Sequence, residues 1–405
     1  MDRIKLSNSL DDLLRQSGTP DATRQADHPD QTLSLLRDNT PLSTAQLALA
    51  RQIGEEMTAV VAGRNEYIRK HRIDARFAKP DANWSHDAPQ NEFLRLFQRV
   101  AKSAEGDIAR LRGFTQPFSG YNLFEVDDGT YLSAADIEFG TDFDTDLARR
   151  LAARNAPQIE HHKHLVAGLP PEVVFRPPAM LGEIGHVVDG VLVNHDTNAY
   201  QERINILHKS GVLGQIQDKI ATAGEVKICE IGGGYGALCH WFKQMFPKAS
   251  YTIIDLPESL LFSRLYVSLT HPDMATTCGL AASRFGVRFV PNFMAEQLDD
   301  SFDLIINTLS MSEMTEYQVR KYVHLMSTKW LKEDAVFFEQ NHDVRKVGLL
   351  FAQEILASEF EYHLPLYPPD ADYEKGFPYR HGFPSLWSLN PLDLPSLASP
   401  TPPAP

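Results

Sequence analysis

From residue 225 onward, short apolar runs alternate with longer stretches in which hydrophobic residues recur every three or four positions. "VKICEI", "SYTIID", "VRFV", "FDLIINT" and "AVFFEQ" are five strand-length runs, almost continuous in apolar character. Between them stand "YGALCHWFKQMF", "PESLLFSRLYVSL" and "TEYQVRKYVHLMSTKWL", each with helical spacing, and "RKVGLLFAQEILASEF" follows the fifth strand as a further helix. Strands alternating with helices predict a doubly wound, mostly parallel α/β sheet. Their lack of polar alternation predicts that both faces are covered. "FEYHLPLYPPDADYEKGFPYRHGFPSLWSL" predicts a closing antiparallel pair around a Pro-rich insertion.

Upstream the pattern differs. Residues 1–40 are polar, with only short helical suggestions in "LDDLLRQ" and "TLSLLRD". "LSTAQLALARQIGEEMTAVVAGRNEYIRKHRI" predicts a long helix with Leu47, Ile53, Met57 and Val60 on about one face, and Ser43 with Gln46 fits a capping box. "NEFLRLFQRVAKSAEGDIARLR" predicts a second helix and "DTDLARRLAARNAPQIEHHKHLVAGL" a third. Val187-Val188 and Val191 to Val193 flank Asp189-Gly190, the signature of a two-residue hairpin. "NAYQERINILHKSGVL" then leads by a helix into the sheet region. The expected organisation is a poorly ordered segment 1–40, a mainly helical cap 41–200, a Rossmann-like domain 201–390 and a disordered Pro-rich tail 391–405.

Composition narrows the partners. The chain has 405 residues and a formal charge of −14, which disfavours nucleic acid and anionic membrane surfaces. No apolar run is long enough to span a bilayer, and "MDRIKLSNSLDDLL" lacks the apolar stretch of a secretory signal. Cys229, Cys239 and Cys278 form no C-x-x-C spacing, which suits a reducing, cytoplasmic setting.

Chemistry concentrates at "EIGGGYG", residues 230–236, where the first sheet strand turns into its helix. Gly232-x-Gly234-x-x-Ala237 satisfies the dinucleotide fingerprint. The same residues, read as Glu230-x-Gly232-x-Gly234-x-Gly236, match the first motif of methyltransferases that use S-adenosylmethionine (SAM). Asp255, ending the second strand, can take a ribose of either ligand. Glu230 separates the two: a carboxylate beside a pyrophosphate costs around 1 kcal/mol or more, whereas the ammonium and sulfonium of SAM attract it. The chain also lacks a second nucleotide-binding half.

"ICEIGGGYGALCHWFKQMFPKASYTIIDLPESLLFSRLYVS", "FDLIINTLSMSEMTEYQVRKYV" and the upstream "GEIGHVVDGVLVNHDTNAYQERINILHKSGVL" together resemble the sugar O-methyltransferase family of bacteria, over about residues 110–390. The resemblance implies a class I Rossmann-like, SAM-dependent O-methyltransferase acting on a small-molecule acceptor, a sugar or nucleotide-linked sugar, and leaves a homodimer open. It implies that Gly232, Gly234 and Gly236 line the methionine part of SAM with Glu230 as anchor. Asp255 would hold the ribose and Leu256 lie against the adenine, which Asn292 and Phe293 would bond and pack; the usual residue at 292 is Asp. Asn307 and Thr308 would face the methyl-transfer centre.

A sugar hydroxyl needs a base to become a nucleophile. Three residues sit where one is expected: His342 after the fifth strand, His195 in "VNHDT", and Glu313 after the fourth strand. His381 is a further loop histidine, and Tyr121, Asn122 and Arg176 could meet an acceptor. The cluster Glu160, His161, His162 and His164 invites a metal, but its spacing lacks the H-E-x-x-H pattern and reads as a solvated helix face, so no metal is expected. Alternatives to the sugar O-methyltransferase are N- or O-methylation of a non-sugar metabolite or a peptide, NAD-dependent oxidoreduction, and a SAM-binding scaffold without turnover.

Overall fold

Ser43 accepts a hydrogen bond from the Gln46 backbone N–H, and the Gln46 side chain accepts one from Ser43 N–H at 2.9 Å, closing the expected capping box. The helix it starts is the first of several that wrap a sheet. The computed structural model describes residues 35–37, 40–79, 92–115, 124–125, 131–132, 145–343, 345, 348–367 and 382–391. Tyr121, Asn122, His381 and most of the 391–405 tail lie outside the described residues.

The N-terminal part comprises β1 (Leu35–Arg37), α1 (Thr44–His71), α2 (Glu92–Val100), α3 (Thr145–Val166), β2 (Ile184–Val188), β3 (Val191–Val193), α4 (His195–Lys209) and α5 (Val212–Ala223). The hairpin β2–β3 turns at Asp189 (φ 49°) and Gly190 (φ 77°), the two positive φ values that a two-residue turn requires. Two expectations change here. "TLSLLRD" supplies not a helix but β1, which pairs antiparallel with β2. The run from residue 92 is not one helix: α2 stops at Val100, and short turns Glu105–Ile108 and Leu111–Phe114 follow. The break lets the chain press onto α1, where Ser103 (φ 52°) donates its hydroxyl to the Ala50 carbonyl at 2.9 Å. Gly54 makes room for this contact, since a Cβ there would lie 2.2 Å from the Ala101 oxygen.

The sheet region runs β4 (Val226–Ile231), α6 (Ala237–Met245), β5 (Ala249–Asp255), α7 (Pro257–Thr270), β6 (Thr276–Cys278), β7 (Val287–Pro291), β8 (Phe302–Thr308), α8 (Glu316–Leu325), β9 (Leu331–Asn341), β10 (Tyr362–Pro365) and β11 (Phe383–Ser388). The strand order is β10-β11-β9-β8-β4-β5-β7-β6. Strands β4 to β9 pair in parallel; β11 is antiparallel to both β9 and β10. This is the expected α/β sheet with its closing antiparallel pair. The edge strand β6 was not expected, and the helix after β9 shrinks to Ala352–Leu356.

Alternate residues of each strand face two cores. Ile228, Ile253, Leu304, Ile306 and Phe338 belong to one; Cys229, Ile231, Ile254, Ile305 and Phe337 belong to the other. Helix α7 is buried along almost its whole length because α1 lies over it. Two ion pairs, Arg64–Glu258 and Glu56–Arg264, join the pair, and Gln46 Nε2 donates to the Leu269 carbonyl at 3.0 Å. An expected boundary at residue 200/201 falls inside α4, whose residues 196–207 are all buried. α4 is thus one continuous buried helix across that point.

Candidate functional site

The carboxyl ends of β4, β5 and β8 meet at the glycine loop. Gly232, Gly234 and Gly236 all take positive φ (75°, 55° and 91°), conformations that glycine adopts at no steric cost. Gly232 N–H donates to the Ile254 carbonyl at 2.8 Å, and Gly234 N–H to Asp255 Oδ2 at 3.3 Å. Side chains are excluded by close packing as well. A Cβ on Gly232 would lie 2.0 Å from Ser310 Oγ, and one on Gly236 would lie 2.8 Å from Val267 Cγ2.

Glu230 lies beneath this loop. Its carboxylate is 2 % exposed, accepts a hydrogen bond from the Tyr251 hydroxyl at 2.8 Å, and sits directly against Gly233. Burial pushes its pKa up to about 8, against the lowering effects of Tyr251 and of the Arg203 charge. Asp255 is held by Leu256 N–H at 2.7 Å and by Gly234 N–H; burial raises its pKa to about 7, with a smaller contribution from the Glu313 carboxylate. On the far side of β4, Asn307 Nδ2 donates to the Ile231 carbonyl at 2.8 Å and to Ser310 Oγ at 2.6 Å. Leu309, the next residue but one, has φ 64°, a strained backbone of the sort that collects at functional sites.

These contacts bring Glu230, Gly232, Gly234, Gly236, Asp255, Leu256 and Asn307 into one constellation. Asn292 and Phe293 follow β7 at the same edge but are engaged by the N-terminal part. Asn292 Nδ2 donates to the Ala78 carbonyl at 3.0 Å, while its buried Oδ1 has no partner among the described residues. Phe293 is buried with Ile73 and Ala78, its ring 5.3 Å from that of Tyr67. The expected packing face for adenine is therefore turned toward α1.

The candidate bases occupy different positions. His342 directly follows β9 and is 5 % exposed. Glu313 closes the short turn Ser310–Glu313 after β8 and is exposed. His195 opens α4, next to Asp196. The histidine cluster of α3 departs from a wholly solvated face: His162 is 2 % exposed, its Nδ1 3.2 Å from Asn198 Oδ1, while Glu160 pairs with Lys163. No group of three or more His, Cys, Asp or Glu among the described residues is placed to hold a metal.

Two networks escaped the sequence reading. Arg112, fully buried, donates to Glu183 Oε2 at 2.6 Å and Asp196 Oδ2 at 2.9 Å, and its guanidinium stacks 3.8 Å from the ring of Tyr235 in the glycine loop. Nothing in the local pattern announces it, because its partners stand 71 and 84 residues away. The second network was detectable. Polar Glu339-Gln340-Asn341 follows the apolar run Ala335–Phe338 at the carboxyl end of β9, and Asn341 Nδ2 donates to both Asn307 Oδ1 (2.9 Å) and Glu339 Oε1 (2.7 Å). Burial raises the Glu339 pKa to about 7.

The strand order departs from that of the dinucleotide-binding domain. A six-stranded dinucleotide domain runs 3-2-1-4-5-6 without interruption. Here the antiparallel β11 is inserted between β9 and β10. The fold is a Rossmann-like α/β fold, a mostly parallel sheet with helices on both faces. Among proteins of known function, the chain is 26 % identical over 137 residues to a malonyl-[acyl-carrier protein] O-methyltransferase of Bacillus cytotoxicus, covering 33 % of this chain and 44 % of that enzyme. The chain thus spans less than half of that relative's length. No protein-family profile matches. Among solved structures, a precorrin-6y C5,15-methyltransferase of Geobacter metallireducens aligns at 15 % identity over 40 % of this chain and 80 % of its own, with a TM-score of 0.29. A TehB-like SAM-dependent methyltransferase of Corynebacterium glutamicum aligns at 17 % identity over 45 % and 98 %, with a TM-score of 0.28. No helix among the described residues is long and apolar enough to cross a membrane.

Proposed function

We propose that the protein binds SAM and transfers its methyl group to a hydroxyl of a sugar or sugar-containing small molecule in the cytoplasm. The observation that carries the SAM reading is Glu230: a buried carboxyl group, hydrogen-bonded to the neutral Tyr251 hydroxyl, directly under a glycine loop. Such a group is costly unless a cation completes it. Asp255 at the end of β5 suits a ribose diol, and the unpaired Asn292 Oδ1 suits the amino group of an adenine. When bound, SAM supplies an electrophilic methyl on a sulfonium.

The chain's own contribution is to orient the two ligands and to remove a proton. Alignment of the acceptor with the methyl can supply about 7–11 kcal/mol of barrier lowering. His342, next to the Asn341–Asn307 contact, is our first choice as base, with Glu313 and His195 following. The sugar acceptor is supported by the resemblance of "EIGGGYGAL", "IDLPESLLFS" and "GEIGHVVDGVLVNHDT" to that family. Calorimetry with SAM, S-adenosylhomocysteine and NAD, followed by a methyl-transfer screen over nucleotide sugars and free glycosides, tests both halves. Binding of NAD without SAM would sink the cofactor half. SAM turnover on non-sugar acceptors alone would sink the sugar half.

A further inference from the structure

Helix α4 carries a buried charge that is not fully hydrogen-bonded among the described residues. Arg203 is 2 % exposed, yet its Nε and Nη2 have no hydrogen-bond partner among the described residues. Its guanidinium carbon lies 5.0 Å from the neutral ring of Tyr200. The Tyr200 ring in turn meets Tyr235 of the glycine loop edge-on at 5.6 Å. Buried guanidinium donors without acceptors are disfavoured, so a fold that keeps them has a use for them.

The helix lies where that use belongs. Glu202, beside Arg203, accepts a hydrogen bond at 2.9 Å from Gln340 at the carboxyl end of β9. Arg203 itself acts on Glu230 at the carboxyl end of β4, favouring its ionised form. α4 therefore crosses the carboxyl edge of the sheet, the side on which ligands of open α/β sheets bind. A buried acid and a buried base thus stand on two elements at the mouth of one glycine loop.

We propose that Arg203 binds the α-carboxylate of SAM while Glu230 takes its ammonium, so that α4 and β4 form a clamp for an amino-acid zwitterion. This rests on the SAM reading above. A guanidinium offers a carboxylate two parallel N–H donors, and Arg203 has two free nitrogens to give.

Calorimetry with three ligands tests the clamp: SAM, decarboxylated SAM, and 5′-methylthioadenosine, which lacks both charged groups. Arg203→Met should weaken SAM roughly 10- to 100-fold and leave the other two within about twofold, with Arg203→Lys between. Unchanged SAM affinity in a folded Arg203→Met protein overturns the clamp, as does an equal loss for all three ligands. If Arg203→Met does not fold, the wild-type protein decides: SAM should bind at least about tenfold more tightly than decarboxylated SAM, and equal affinities overturn the clamp. A wild-type protein that binds methylthioadenosine but does not distinguish the other two rejects the clamp alone. One that binds none of the three rejects the SAM reading with it.

Discussion

The two edges of the central sheet treat charge in opposite ways. At the amino edge, around a cavity of about 220 Å³, each acid meets a base: Asp300 pairs with Lys227 at 3.0 Å and Arg288 at 2.8 Å, and Glu225 pairs with Arg284 at 3.2 Å. At the carboxyl edge, Glu230, Asp255 and Glu339 are each held by neutral donors: a tyrosine hydroxyl, backbone N–H groups, and carboxamides. The pKa of Asp300 is lowered, while those of Glu230, Asp255 and Glu339 are raised to between about 7 and about 8. Internally neutralised charge needs no ligand. Carboxyl groups kept buried among neutral donors, with raised pKa values, mark the working edge.

The largest effect expected at the working edge comes from the loop itself. Gly234→Val should weaken SAM binding at least ~100-fold, because a branched side chain at φ 55° is strained and fills the ligand's approach. Calorimetry beside a thermal melt checks this; full affinity in the folded variant would remove the loop from the site. Next, His342→Ala should lower turnover by about 10² with SAM affinity kept, read from steady-state rates and calorimetry together. Normal turnover moves the base to Glu313 or His195.

A third prediction concerns pH. Glu230 is largely protonated in the free protein below about pH 8, and a bound ammonium favours its ionised form. SAM affinity should therefore rise with pH toward 8, by up to about tenfold per unit below that value, with proton release visible as buffer-dependent binding heats. Glu230→Gln should flatten the profile; an unchanged profile would dissociate Glu230 from the ligand. The smallest effect belongs to the amino edge. Arg284→Ala, which breaks an exposed pair with Glu225, should cost less than about 0.5 kcal/mol and leave SAM binding alone. A large loss of binding there would erase the contrast between the edges.

Much of this architecture can be read from the chain, and the reason is local. The apolar runs of β4, β5, β8 and β9 declare buried strands, Asp189-Gly190 declares a hairpin turn, and Ser43 with Gln46 declares a helix start. What stays hidden depends on distant partners. β1 exists because β2, about 150 residues later, offers it an edge, and the strand pattern of "LLR" alone is too short to show it. The break after α2 is dictated by Gly54 and Ala50 of another helix. Within the site, Glu230 and the glycines are legible because they share one motif. Arg203 is not: nothing in "QERIN" distinguishes a buried arginine from the surface arginine that such a helix ordinarily carries.

Strand β11 has a consequence for how the chain assembles. It lies inside the sheet, bonded to β9 on one side and β10 on the other, yet it is formed by residues 383–388. During synthesis β9 and β10 are complete while the strand that must separate them is still unmade. Until it arrives, β9 offers an open row of backbone donors and acceptors to any passing strand. Of the described strands, the one latest in the chain is the one that seals the sheet.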